Sequence, residues 1–167
     1  MPDASPVTSG AHWPRARVWW AVALGAWTAL IARVTLVPQI GGTGRIYEFV
    51  AAVTGFLTGG HVVPTFLVVE GIGNVLMFVP FGFLLAAVVA YPLRGVGTAR
   101  LLRAAAVAVV VSIGYTLLIE YVQGAMFPQR VSEVRDLLHN TLGGVLGAAL
   151  AVAVGWRLGI ARRRAYN

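Results

Sequence analysis

Four apolar runs, each long enough to cross a bilayer as a helix, constrain the fold of this chain more than any other feature. They cover, approximately, residues 18–38, 65–91, 104–123 and 135–156. A helix needs roughly 20 apolar residues to cross a hydrocarbon layer about 30 Å thick. With 58% hydrophobic and 11% charged residues, the chain also lies outside the usual composition of soluble domains. We therefore predict an all-α integral membrane protein, built as a bundle of four transmembrane helices.

A shorter helix is predicted between the first two spans. Apolar residues recur there at helical spacing, at Ile46, Phe49, Val50, Val53, Phe56 and Leu57, and glycines flank the segment. The segment is too short to span, so we expect an amphipathic helix that lies on the outer membrane surface or packs over the mouth of the bundle. The predicted organisation is an N-terminal cytoplasmic tail at 1–17, a transmembrane domain at 18–157 and a basic cytoplasmic tail at 158–167.

All thirteen basic side chains are arginines, and their distribution predicts the orientation of the bundle. An even number of spans puts both termini on the same side of the membrane. That side carries nine arginines, the loops on the other side carry three, and Arg33 lies within the first span. Because arginine-rich loops stay in the cytoplasm, we predict that both termini are cytoplasmic.

Composition also narrows the choice of partners. The arginines are spread over several loops rather than gathered in one patch, which argues against a nucleic-acid surface. The chain has no cysteine and its three histidines lie far apart, so no zinc site is predicted. We expect no metal and no cofactor. The lipid bilayer is the partner that the composition requires, and the sequence leaves the oligomeric state open.

Polar residues gather at the predicted outer ends of spans two, three and four. Glu120 lies about one turn from the end of its span, and Asp136 is equally shallow on the next, so we expect the two carboxylates to face each other. Arg130, in the loop between them, is placed to bridge both, and an anionic ligand would join such an arginine fork. The candidate functional cluster is Asn74, Glu120, Gln123, Arg130, Asp136 and Asn140.

These residues also have a structural interpretation. Asp136 lies near a helix N-terminus, where a negative charge is stabilised by about 0.3 to 1 kcal/mol. The three amides would then form interhelical hydrogen bonds worth about 0.6 kcal/mol each. Beside them, small residues at steps of four predict close helix packing, at Gly143, Gly147, Ala151 and Gly155. The carboxylates favour a site, because helix packing does not require charged groups inside a membrane bundle.

Several stretches of the sequence resemble a known family. They are Thr35-Leu-Val-Pro38, Asn74-Val-Leu-Met-Phe-Val-Pro80-Phe-Gly82-Phe-Leu, Ile119-Glu120-Tyr-Val-Gln123 with Arg130, and Asp136-Leu-Leu-His-Asn140-Thr-Leu-Gly143-Gly144-Val-Leu-Gly147. Over about residues 30–150 they resemble the VanZ-like family of small bacterial membrane proteins. The resemblance implies a multi-pass protein of the bacterial cell membrane. The family is named for a protein associated with low-level resistance to the glycopeptide teicoplanin. Glu70 and the arginine-rich tail do not match the family's pattern.

Three functions are compatible with these residues. In the first, the outward polar cluster binds a lipid-linked or glycopeptide-type ligand and modulates sensitivity to glycopeptide and lipoglycopeptide antibiotics. The second is a membrane-embedded enzyme acting on a lipid or cell-wall substrate, with Glu120 or Asp136 as general base and Arg130 holding an anionic group. The third is a small transporter in which Glu120 or Glu70 relays protons. The sequence has no evident nucleophile–base pair and no inverted repeat, so we favour the first.

Overall fold

The protein folds into four long helices and one short helix, as seen in a computed structural model. The structure describes residues 15–36, 48, 51–53, 55–56, 59–60, 66–93, 96–126 and 134–165, with side chains for all but 66–67, 69 and 160–165. The long helices are α1 (Arg15–Leu36), α2 (Phe66–Ala90), α3 (Thr98–Met126) and α4 (Val134–Ala165). Between α1 and α2, residues 48, 51–53 and 55–56 are helical. The predicted fold class is confirmed, whereas the division into a membrane domain and two cytoplasmic tails stays a prediction.

Each long helix contains an apolar stretch that can cross a membrane. These stretches are Arg15–Leu36, Glu70–Ala90, Thr98–Met126 and Val134–Gly159. The shortest, Glu70–Ala90, has 21 residues. At about 1.5 Å per residue it reaches about 32 Å, which matches the roughly 30 Å core of a bilayer. The protein is therefore a multi-pass membrane protein, and its helices expose many large apolar side chains, as is typical of surfaces that face lipid.

Helices α2, α3 and α4 form the core of the bundle, and α1 lies outside it. α2 packs most extensively on α4, and α3 contacts both. α1 contacts α2 and α3, but the described residues give it no contact with α4. The one fully buried residue described in α1 is Ile31, which joins Phe78, Phe81 and Ile119 in an apolar cluster. α1 is therefore the most loosely packed of the four helices.

Small residues bring the backbones of α2 and α4 into contact. A methyl group added at Gly143 would overlap the main-chain oxygen of Val75, and one added at Gly147 would overlap that of Val79. The two helices can approach this closely because glycine has no side chain. The predicted close packing along the small-residue stripe is confirmed at Gly143 and Gly147, which pack against α2, and at Gly155, which packs against Leu101 of α3.

Hydrogen bonds from side chains to main-chain oxygens attach α1 to the core. Trp27 donates its Nε1–H to the carbonyl oxygen of Met77 at 2.8 Å, one turn before Pro80. Pro80 lies inside α2 and has no N–H group, so it donates no hydrogen bond to the carbonyl oxygen of Leu76, the residue before Met77. From α3, the Tyr115 hydroxyl donates to the carbonyl oxygen of Thr28 at 2.8 Å. Polar contacts therefore supplement the limited apolar packing of α1.

Helix α3 begins earlier than the apolar pattern predicts, since that pattern leaves residues 92–103 in a loop. The carbonyl oxygen of Gly97 accepts hydrogen bonds from the N–H groups of Arg100 and Leu101, at 3.0 and 3.2 Å, and the helix starts at Thr98. The side chains of Arg100 and Arg103 are exposed. A transmembrane helix can begin with arginines because their long side chains carry the charge into water.

Candidate functional site

The alternating direction of the helices gathers polar side chains at one end of the bundle, which we call the polar end. There α1 and α3 end, and α2 and α4 begin. The charged side chains described towards this end are Glu48, Glu70, Glu120, Asp136, Arg33 and Arg135. Those described at the opposite, basic end are Arg15, Arg17, Arg100, Arg103 and Arg157. Among described residues, the acids therefore lie at one end and most arginines at the other.

Asn74 and Asp136 link α2 to α4 at the polar end. The side-chain Nδ2 of Asn74 donates a hydrogen bond to Oδ1 of Asp136 at 3.0 Å, and both side chains are half-buried. Asp136 also lies in the first turn of α4, where the helix dipole stabilises a negative charge. The structure thus brings together two residues of the candidate cluster.

An ion pair lies beside this hydrogen bond, between Glu70 and Arg135. Oε2 of Glu70 and Nη2 of Arg135 are 3.6 Å apart, and the side chains keep 24% and 33% of their exposure. Sequence reasoning left both residues out of the cluster. Their spacing gave a usable signal, because Glu70 precedes Asn74 by one turn on α2 and Arg135 is adjacent to Asp136 on α4.

Gln123 points to a different partner from the rest of the candidate cluster. Its Nε2 donates a hydrogen bond to the main-chain oxygen of Thr35 at 2.8 Å. Thr35 lies in the last turn of α1, where carbonyl groups have no donor within their own helix. Gln123 therefore caps α1 and holds it against α3, which is the structural interpretation of this residue.

Asn140 is the most deeply buried of the candidate residues. Its side chain is 4% exposed, and its Oδ1 has no hydrogen-bond partner among the described residues. It lies one turn beyond Asp136 on α4 and one turn before Gly144, which packs against Ser112 of α3. Leaving a buried amide oxygen without a hydrogen-bond donor lowers the stability of the fold by about 1 to 3 kcal/mol. Such atoms are rare in proteins, so this one needs an explanation.

The packing of α3 on α4 puts Glu120 and Asp136 at the same level of the bundle. The two helices run in opposite directions, and a methyl group added at Gly144 would lie 2.6 Å from Cβ of Ser112. From this contact, two turns towards the polar end lead to Asp136 on α4 and to Glu120 on α3. Glu120 is half-buried. Two carboxylates from different helices thus stand at one level, with the Asn140 amide one turn deeper.

His139 is a further polar residue that sequence reasoning left outside the cluster. Its imidazole lies against α2, and a methyl group added at Gly71 would come within 2.6 Å of Cε1. Its Nδ1 is buried and has no hydrogen-bond partner among the described residues. The glycine at 71 was the available signal, because a large ring packs there only if the facing residue has no side chain.

Arg130, the proposed bridge between the carboxylates, lies outside the described residues. Within the described part of the chain, no group of three histidine, cysteine, aspartate or glutamate residues could hold a metal ion. Chemically, the described polar end offers both hydrogen-bond acceptors and donors. The acceptors include the oxygens of Glu120 and Asp136, the amide oxygen of Asn140 and one ring nitrogen of His139, and the donors include the guanidinium groups of Arg33 and Arg135 and the amide groups of Asn74 and Gln123.

Comparison with known proteins assigns the chain to a family. A profile of the VanZ/LLP1 family matches residues 20–155. The chain belongs to the VanZ/LLP1 family. The match covers most of the chain and includes every candidate residue from Asn74 to Asn140. No curated protein and no solved structure matches the chain significantly. This VanZ/LLP1 protein is thus assigned by its family profile to a class of multi-pass membrane proteins, which agrees with its four apolar helices.

Proposed function

We propose that this VanZ/LLP1 protein binds a lipid-linked or other cell-envelope ligand at its polar end and thereby modulates sensitivity to glycopeptide and lipoglycopeptide antibiotics. The observation that carries the proposal is the buried oxygen of Asn140, which has no partner among the described residues and lies beneath two carboxylates at one level. Helix packing alone would favour an apolar residue at position 140, because burying a polar atom without a partner lowers stability. A ligand that donates a hydrogen bond to Asn140 gives this residue a reason to be there.

The proposal places the polar end outside the cell. Among described side chains, the basic end carries five arginines, whereas the polar end carries two. Arginine-rich ends of membrane helices stay in the cytoplasm, which supports cytoplasmic termini in a bacterial cell membrane. An outward polar end meets envelope lipids, cell-wall precursors and antibiotics that act outside the membrane. The link to glycopeptides comes from the protein for which the VanZ family is named.

The test compares function with abundance in variants of the two carboxylates. Glu120→Gln and Asp136→Asn keep the shape of the side chain and its ability to accept a hydrogen bond, but they remove the charge. Partly hydrated charge interactions contribute about 0 to 1 kcal/mol, so both variants should accumulate normally in membranes. The control is Ser112→Ala, because the Ser112 hydroxyl donates only within its own helix, to Ala108 at 2.7 Å.

Protection against a lipoglycopeptide and against an intracellularly acting drug is measured in the same cells. We expect wild-type protein and Ser112→Ala to protect selectively against the lipoglycopeptide, and both carboxylate variants to lose that protection at normal abundance. Unchanged protection in the carboxylate variants would show that the charges do not serve this function. Depletion of both variants from membranes would instead make the carboxylates folding elements, which contradicts the proposal.

A further inference from the structure

We infer that the polar end recognises a primary ammonium group, which donates a hydrogen bond to the side-chain oxygen of Asn140. The inference rests on the proposed function, since it names the chemical group by which the envelope ligand is bound. The sequence predicted an anionic ligand, because Arg130 was placed to bridge two carboxylates. The inferred ligand carries a positive charge instead. Among the described side chains at this end, the buried Oδ1 of Asn140 and Nδ1 of His139 are acceptors that lack a donor, and acids outnumber arginines.

The described surroundings of Asn140 leave its side-chain oxygen without a hydrogen bond. Its oxygen is buried and has no donor among the described residues. The residue of α3 at its level is Thr116, one turn from the contact between Ser112 and Gly144. The hydroxyl of Thr116 donates to the carbonyl oxygen of Ser112 at 3.0 Å, so it is not available to Asn140. A donor that reaches this oxygen from the polar end would complete its hydrogen bonding.

His139, the residue before Asn140, carries a second buried acceptor. Nδ1 of this ring is buried and likewise lacks a partner among the described residues. Gly71 lets the ring pack directly on α2, so the imidazole is held by the α2/α4 contact. When the proton is on Nε2, Nδ1 accepts hydrogen bonds. Two successive residues of α4 therefore present buried acceptors within about one turn of Asp136.

Among the described charged side chains around these acceptors, acids outnumber arginines. The described polar end has four acids and two arginines, and one of those arginines is paired with Glu70. An ammonium group has three N–H donors and a positive charge, so it can bond to neutral acceptors and carboxylates together. Hydrogen bonds from a charged donor are about twice as strong as neutral ones. A phosphate group would instead set its own acceptor oxygens against those of Asn140 and Asp136.

The experiment uses the full-length protein in bilayer discs of phosphatidylglycerol with equal minor amounts of phosphatidylethanolamine and phosphatidylcholine. Both minor lipids carry one phosphate and one positive nitrogen, but the choline nitrogen has methyl groups in place of N–H donors. The lipids retained by the protein are counted by native mass spectrometry. We expect wild-type protein to retain the ethanolamine lipid about tenfold over the choline lipid, because only the former donates charge-assisted hydrogen bonds.

Variants of Asn140 test whether this residue is the acceptor. Asn140→Leu removes the oxygen and leaves no polar group behind, so the preference should fall to within about twofold. Asn140→Asp keeps the shape of the side chain and adds a charge, so its preference for the ethanolamine lipid should equal or exceed that of wild type. If the leucine variant is not recovered, the aspartate variant tests whether residue 140 is the acceptor. Ser112→Ala should behave as wild type. Free ethanolamine at millimolar concentration shows whether the recognised amine must belong to a lipid. If ethanolamine displaces the lipid, a soluble amine suffices. If it does not, recognition requires a lipid-borne amine.

Two results overturn the inference. One is equal retention of the two lipids by wild-type protein. The other is a preference for the ethanolamine lipid that persists in Asn140→Leu or is lost in Asn140→Asp. These failures are distinct from failure of the proposed function. Equal retention together with lost antibiotic protection in Glu120→Gln rejects ammonium recognition and leaves envelope-ligand binding standing. Unchanged protection in that variant rejects the proposed function itself.

Discussion

Replacing Gly147 by alanine should destabilise the bundle, although alanine is the better helix former. Gly147 lies where α4 meets α2, and the added methyl group would overlap the carbonyl oxygen of Val79 and lie 2.7 Å from the amide nitrogen of Phe83. Ordinary contacts of such a carbon begin at about 3.4 Å. Both neighbours are backbone atoms of a helix, so neither can rotate away. The two helices must therefore separate by an amount on the order of 1 Å.

The size of the effect follows from two opposing contributions. Overpacking of a well-packed contact lowers stability by about 1 to 3 kcal/mol, and backbone neighbours place this site in the upper half of that range. The change from glycine to alanine within a helix returns up to about 1 kcal/mol. We therefore expect Gly147→Ala to lower the free energy of unfolding by about 1 to 2 kcal/mol.

Gly114 provides a matched control on α3. It is exposed, and a methyl group added there would meet nothing within 4 Å. Gly114→Ala should therefore gain only the helix-propensity term, up to about 1 kcal/mol. The assay is unfolding of both variants and wild type in the same mixed micelles by titration with a denaturing detergent. A Gly147→Ala variant as stable as Gly114→Ala would refute the reasoning, since it would mean that α2 and α4 do not touch at this position.

Three further predictions follow from other parts of the bundle. In this cysteine-free chain, Met126→Cys at the polar end should react with an impermeant thiol reagent on intact cells and Thr98→Cys at the basic end should not; the reverse pattern would invert the orientation. Gln123→Leu leaves the last turn of α1 without its cap and should lower the free energy of unfolding by about 0.5 to 1.5 kcal/mol. The control Gly124→Ala adds a methyl group that meets nothing within 4 Å, so it should not lower that free energy. Glu70→Gln breaks a half-exposed ion pair and should change that free energy by less than about 1 kcal/mol; a larger loss would mean that the pair is shielded from water.

The sequence predicted the fold class because the length and apolar character of a span are properties of one segment. An apolar run of about 20 residues must become a helix in lipid whatever its neighbours are, since only a helix satisfies its own backbone groups. The small-residue stripe was predictable for a similar reason: Gly143 and Gly147 stand four residues apart, and that spacing alone puts them on one face of α4. Neither inference needs to know which helix lies opposite.

The partners of the polar side chains were decided by the tertiary structure. The sequence grouped Gln123 with the carboxylates, but in the fold it reaches the end of α1, because α1 lies against α3 and away from α4. Sequence reasoning assigned Glu70 only the role of a proton relay in the transporter alternative, and the α2/α4 contact pairs it with Arg135. Helical periodicity fixes which residues of one helix share a face. Which helix that face meets depends on the rotation and register of two helices, and these are set by all their packing contacts together.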